Sequence, residues 1–165
     1  MTVKSSMAPV GASDARLLLL GSLPGDASLA LQRYYAHPTN QFWRLVGVAL
    51  REPLIDLAYP ERLDRLATRG VALWDVVDRA ERIGSLDGAI RGASHNALAE
   101  FTATHPRLEA IGFNGQTAAR IGRRALADVA GLRLVDLPSS SAAYTLAFAA
   151  KSEKWQALAG FLDPA

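Results

Sequence analysis

Apolar residues fall in short uninterrupted runs along this chain, separated by segments in which they recur at helical spacing. Residues 17–20 are four consecutive leucines, and mainly apolar runs return at 71–74, 108–113 and 132–136. Runs of this length without polar alternation predict strands covered on both faces. Between them, Phe42, Trp43, Val46, Ala49 and Leu50 share one helical face over residues 41–50. Residues 60–69 read as a helix with Pro60 in the first turn and Gly70 as its stop. Residues 79–92 are polar and glycine-punctuated, which predicts exposed loop and short helix. Ser94 is placed to cap a helix running to about 104, where His105-Pro106 ends it. A further helix is predicted over 116–129, and a last one carries Trp155, Leu158 and Leu162 on one face.

Strands alternating with helices predict a three-layer α/β/α domain around a central four-stranded parallel sheet. Residues 1–13 lack a compact apolar segment and are expected to form a disordered tail. The single domain is expected to occupy 14–165. In an open α/β sheet the loops leaving the strand ends gather along one edge, where ligands bind. Each such loop here carries polar groups: Asn40, Asp75, Asn114 and the serines at 139–141.

Composition narrows the chemistry. There is no cysteine, so disulfides, thiolate nucleophiles and cysteine-ligated clusters are excluded. His37, His95 and His105 are too scattered to suggest a metal site. No apolar run is long enough to span a bilayer, and the cytoplasm is the default compartment. The net charge is only +2, but 15 arginines stand against 3 lysines, and arginine suits phosphates and bases. Codon usage in a GC-rich genome would produce the same skew. The turn at Gly21-Ser-Leu-Pro-Gly25 matches neither the Walker A nor the dinucleotide fingerprint, and no nucleophile elbow surrounds the serines. Taken singly, Asn40 reads as a helix cap, Asn114-Gly115 as a tight turn, and Asp75 as a cap or local backbone partner.

Together, six segments resemble the uracil-DNA glycosylase superfamily, most closely its hypoxanthine-DNA glycosylase branch. They are Gly21-Ser-Leu-Pro-Gly25, Tyr34-Tyr-Ala-His-Pro-Thr-Asn-Gln-Phe-Trp43, Leu73-Trp-Asp-Val76, Gly84-Ser-Leu-Asp87, Gly112-Phe-Asn-Gly115 and Leu137-Pro-Ser-Ser-Ser141. The resemblance implies a cofactor-free, metal-free, monomeric enzyme acting on DNA that contains deaminated bases. Its expected reaction is hydrolysis of the N-glycosidic bond of a flipped base, hypoxanthine before uracil or a wider set of bases. Other branches carry an Asp or Asn where Leu23 stands, so the resemblance implies that Asn40 takes over the attacking water through its carboxamide oxygen. Tyr35 is expected to stack on the base. Asn114 should read its edge, and Gly21, Ser22 and Leu23 should line its site. Pro24, Gly25, His37, Pro138, Ser139, Ser140 and Ser141 are expected to shape the loops and meet the DNA phosphates. Ser141 is too small for the wedge that other members place there, and Leu137 replaces a family histidine. These departures motivate a second reading, an inactive DNA-binding relative.

Overall fold

The computed structural model describes residues 2–162. In chain order its elements begin with β1 (Val3–Ser5), β2 (Leu17–Gly21), α1 (Asp26–Leu31), α2 (Phe42–Leu50), α3 (Tyr59–Thr68) and β3 (Val71–Asp75). They continue with β4 (Val77–Glu81), β5 (Arg91–His95), α4 (Leu98–Thr104), β6 (Ala110–Asn114), α5 (Gln116–Ala125), β7 (Arg133–Leu137) and α6 (Phe148–Trp155). Four strands form the expected parallel sheet in the order β3-β2-β6-β7.

The leucine run explains why β2 lies inside this sheet. Leu18 and Leu20 pack into one apolar cluster with Leu98 and Phe101 of α4 and Ala118 and Ile121 of α5. Leu17 and Leu19 point the other way, into a cluster with Phe42, Trp43 and Leu45 of α2, Leu66 of α3 and Trp155 of α6. All four leucines are at most 1% exposed, and each contributes roughly 1.5–3 kcal/mol by burial. A strand covered on both faces has no polar side, hence its unbroken apolar run.

The register aligns the strand ends. Gly21 lies opposite Asp75, Leu20 opposite Phe113, and Asn114 opposite Leu137. The chain leaves β2 toward β3 on one side, while β6 flanks its other side. The crevice at this reversal of direction therefore opens beside Gly21 and Asn114.

Two expectations are corrected. The described residues of the expected 1–13 tail are ordered against the domain. β1 pairs antiparallel with β4, and Val10 exchanges backbone hydrogen bonds of 3.0 and 2.9 Å with Leu73 on the outer edge of the large sheet. Lys4 is 7% exposed and pairs with Asp26, while Tyr34 Oη donates to Ala8 O at 2.8 Å. The physical reason is the edge strand, whose unpaired N–H and C=O groups need partners. Met1 of that tail and residues 163–165 of the expected domain lie outside the described residues.

The second correction concerns 79–95. Loop and a short 3-10 helix (Asp87–Ala89) occupy only 82–90, and on either side stand β4 and β5, which join β1 in a second sheet ordered β1-β4-β5. The β4–β5 pairing shifts register twice, and all five residues of β5 are exposed, so the sequence carries no alternation there. Ser94 consequently sits in β5 rather than capping a helix, and α4 starts at Leu98.

Candidate active site at the carboxyl edge of the parallel sheet

A cleft of about 290 Å³ opens at the ends of β2, β3 and β6, lined by the opening loop, by 85–87 and by the loop after β7. That volume is near the small end of ligand pockets. Among the residues expected at the site, Gly21 to Gly25, Tyr35, His37, Asn40, Asn114 and Ser139 to Ser141 all border the cleft. Pro138 does not line it. Its carbonyl accepts the Trp155 indole N–H at 2.9 Å and so ties the serine loop to α6.

The opening loop is held from beneath. Arg82, 1% exposed, donates to the carbonyls of Leu23, Pro24 and Gly84. The carbonyls of Gly21 and Ser22 accept the N–H groups of Val76 and Val77 at 2.9 Å each. This loop therefore offers a ligand shape and its N–H side, while its carbonyls are turned into the protein. Leu23 packs its side chain into the apolar core. Ser22 Oγ donates to Asp87 Oδ1, and the Asp26 N–H donates to Ser85 Oγ at 3.0 Å, which joins the 85–87 wall to the opening loop.

Tyr35 has φ of +55°, a left-handed conformation that an aromatic residue adopts only when its surroundings enforce it. One face of its ring stacks on Phe42 at 3.8 Å between centroids and 15° between planes. Phe42 in turn meets Trp43 and Trp155 edge-on. The result is a braced aromatic platform at the cleft. Its hydroxyl is buried and has no hydrogen-bond partner, although Asn114 lies near. Burial, then the Asp75 charge, pushes this phenol above its ordinary range.

Asn40, Ser140 and Asn114 form one chain of hydrogen bonds. Asn114 Nδ2 donates to Ser140 Oγ at 2.9 Å, Ser140 Oγ donates to Asn40 Oδ1 at 2.8 Å, and the Ser140 N–H donates to Asn114 Oδ1 at 2.8 Å. The Phe42 N–H also donates to Asn40 Oδ1, at 2.9 Å. That last bond fixes the amide orientation, because a backbone N–H must face oxygen. Asn40 thus satisfies the first N–H of α2 while it borders the cleft. The expected use of its oxygen changes: two protein donors hold Oδ1, and Nδ2 is the part left without a protein partner.

Ser140 is also corrected. It is 1% exposed and links the two asparagines, so its hydroxyl is withheld from any phosphate. Ser139 and Ser141 are half-buried on the rim, and their hydroxyls accept the N–H groups of Ser141 and Ala143 at 3.2 Å each. His37 is exposed; its Nδ1 accepts the Thr39 N–H at 3.2 Å and stabilises the turn before Asn40.

Sequence reasoning missed several residues. Lys151, fully buried, donates to Gln41 Oε1 at 2.9 Å and Ser141 O at 3.1 Å, joining the serine loop to the start of α2. Burial lowers its pKa. Arg82 fastens the opening loop. A lone Lys or Arg in a polar stretch gives no signal of either role. Asp75 is the largest departure from expectation. It caps nothing: its carboxyl lines the cleft, is 3% exposed, and leaves Oδ2 buried without a partner. Burial first, then the Asp87 charge, raises its pKa to about 7 against the opposing pull of Arg82. Among the described residues no cluster of His, Asp and Glu gathers to hold a metal, and no helix is long and apolar enough to cross a membrane.

Comparison with known proteins extends the resemblance over the whole fold. The model of the family described as the Uracil DNA glycosylase superfamily matches residues 8–160. A curated protein from Methanosarcina acetivorans, named Hypoxanthine DNA glycosylase, is 36% identical over 156 residues, covering 94% of this chain and 98% of that protein. A protein of the same name from Methanosarcina barkeri is 37% identical over 113 residues, 68% of this chain and 72% of its own. A solution NMR structure from Methanosarcina acetivorans, described as a candidate uracil DNA glycosylase, superposes with a TM-score of 0.85 at 35% identity. It covers 96% of this chain and 97% of its own.

Proposed function

Because the chain belongs to the uracil DNA glycosylase superfamily, we propose that it is a monofunctional DNA glycosylase whose preferred base is hypoxanthine. It hydrolyses the bond between C1′ and N9 of a flipped deoxyinosine and leaves an abasic site. The observation that carries this reading is the set of groups meeting at one cleft. A braced aromatic ring at Tyr35 offers a stacking face, and the Asn114–Ser140–Asn40 chain aims the Asn40 amide from the side. The names of the two Methanosarcina relatives support the choice of base.

The roles follow from the groups available. Stacking on Tyr35 contributes roughly 1–3 kcal/mol to holding the base. Leu23 stands in the core where other members place a carboxylate or amide, so nothing there deprotonates water. Asn40 Nδ2 can steady a water by donating to its oxygen, which orients the molecule without making it more basic. Bond breaking therefore runs ahead of attack: the base leaves with the bonding pair, and water captures the oxocarbenium-like sugar. Such a route depends on aimed donors around the leaving base. Ser139, Ser141 and His37 at the rim meet the phosphates beside the lesion. Among the described residues no lysine lines the cleft: Lys151 is buried behind the serine loop and Lys4 pairs with Asp26. The protein acts as a monomer in the cytoplasm.

The test uses oligonucleotides carrying hypoxanthine, uracil or xanthine, single-stranded or paired. Expected are alkali-labile sites at hypoxanthine, fastest in single strands or mispairs, where flipping is least costly, and no strand break before alkali. Salt-sensitive binding with no abasic sites on any of the bases would establish the inactive relative instead.

A further inference from the structure

Folded proteins rarely strand a buried polar atom, and one beside a cleft calls for an explanation in function. Among the described residues only Tyr35 Oη and Asp75 Oδ2 are buried side-chain polar atoms without a partner. Both belong to the same cleft and the same corner of it. A Cβ built on Gly21 would stand 2.6 Å from Asp75 Oδ1 and 2.8 Å from Tyr35 Oη, so both groups reach the space that the glycine leaves open. The register explains the placement, since Asp75 is the strand-end residue directly opposite Gly21.

The other amides at the floor are engaged. Asn114 binds Ser140 through both ends of its side chain, and Asn40 Oδ1 serves Phe42 and Ser140. Among the described residues nothing donates a hydrogen bond to Asp75 Oδ2. Of the groups left open, the Asn40 Nδ2, the Tyr35 hydroxyl and the Asp75 carboxyl, only the carboxyl can set a donor and an acceptor side by side on two atoms. Hypoxanthine presents an acceptor, O6, next to a donor, N1–H. A neutral carboxyl presents a donor, O–H, next to an acceptor, C=O, and the two edges match in a bidentate pair. An ionised carboxylate could only accept, and would oppose the negative charge that collects on O6 as the base departs.

Building on the glycosylase reading above, we propose that Asp75 is the specificity-determining residue of the cleft. Its neutral carboxyl donates to O6 and accepts from N1–H of the flipped base, which lies against the ring of Tyr35. The O–H bond to O6 strengthens as charge develops, because hydrogen bonds to ionised acceptors are about twice as strong. The pair of the C1′–N9 bond leaves with the purine, and the water oxygen bonds to C1′. One proton of that water goes to solvent and the purine anion takes one from solvent, so Asp75 ends the cycle still protonated.

The surroundings favour this state. Asp75 faces Asp87 on the turn after β4, Arg82 before that turn, and Tyr34 and Tyr35 on the opening loop. Its neighbours at the ends of β2 and β6, Gly21 and Asn114, do not titrate. Burial and Asp87 outweigh Arg82 and hold the carboxyl at about 7.

The experiment is single-turnover excision from a single-stranded deoxyinosine oligonucleotide between pH 5.5 and 8, with wild type, Asp75→Asn and Asp75→Ala. Wild-type rates should fall as pH rises through about 7, approaching about tenfold per unit. Asp75→Asn offers the same donor–acceptor pair without a titration, and should stay active with that fall abolished. Asp75→Ala should be slower than wild type by tenfold or more at pH 6. Circular dichroism reports whether the variants fold, and if the alanine variant does not, the asparagine variant decides. Wild type active with Asp75→Asn keeping the same falling limb, or with folded Asp75→Ala as fast as wild type, overturns the assignment and leaves the glycosylase reading standing. Wild type inert on every base at every pH overturns both.

Discussion

Replacing Asn40 by alanine separates two jobs that the structure joins in one side chain. The first is structural. Oδ1 caps the N–H of Phe42 and accepts the hydroxyl of Ser140. A lost cap costs about 1 kcal/mol, and a buried hydroxyl left without its acceptor about 1–3 kcal/mol. Ser140 borders a cleft, so solvent can replace part of the second loss, and the total is about 2 kcal/mol. For a chain of this size that lowers Tm by roughly 4–8 °C. The second job is chemical. Nδ2 is the end of the amide left for the reacting water, and removing one aimed donor costs roughly 10²–10³ in rate. Asn40→Asp tells the jobs apart, because a carboxylate still caps Phe42 and accepts from Ser140 but has no N–H. The aspartate variant should melt close to wild type and remain as slow as the alanine variant. Thermal melts and single-turnover excision of hypoxanthine measure both. Full excision by Asn40→Ala would refute a catalytic role for the residue. A rate restored in Asn40→Asp would refute the donor assignment and show that water needs an acceptor at this position.

Gly21→Ala would push a methyl group against Asp75 Oδ1 and Tyr35 Oη. It should destabilise by about 1–3 kcal/mol and abolish excision, and unchanged kinetics would mean that the corner of the cleft is not used. Tyr144, 48% exposed after the serine loop with Lys151 Nζ 5.4 Å from its ring centroid, has the size for a wedge that Ser141 lacks. Tyr144→Ala should slow excision from paired DNA by roughly tenfold and spare single strands; equal effects on both would exclude a wedge. Asp75 also ties stability to pH. Its folded pKa of about 7 lies above the ordinary carboxylate value near 3.9. The native state therefore keeps a proton that the unfolded chain has lost. This contribution is fully present below about pH 4 and lost as pH rises through about 7, by on the order of 4 kcal/mol. Urea unfolding should show Asp75→Asn gaining on wild type between pH 5 and pH 8, and a gap independent of pH would contradict the raised pKa.

The large sheet was legible because its logic is local. Four leucines in a row have no polar face, and a strand without one must be covered on both sides, which β2 is. The same rule hid the small sheet. β5 is exposed at every position and its pairing with β4 slips twice, so neither alternation nor an apolar run marks it. The N-terminal strand is equally silent in sequence, because its reason to exist is its pairing with β4, far along the chain.

The site divides along the same line. Which residues gather at the cleft could be read from strand ends and from the Tyr-Tyr-Ala-His-Pro string, and the residues expected from them line it, Pro138 excepted. What each atom is free to do could not be read that way. Asn40 and Asn114 carry the same amide, yet Ser140 holds both ends of one and only the oxygen of the other. That difference is set by a serine 100 residues from Asn40 and by one backbone N–H of α2. Asp75 makes the converse point: an aspartate at a strand end is ordinarily a cap, and only a buried Oδ2 without a hydrogen bond among the described residues turns it into a group awaiting a partner. Residue types thus place the chemistry, and the accounting of donors and acceptors assigns it. By that accounting the open capacity at the cleft floor comes down to the Asn40 Nδ2 hydrogens, the Tyr35 hydroxyl and the Asp75 carboxyl, a set suited to a base that carries an acceptor beside a donor.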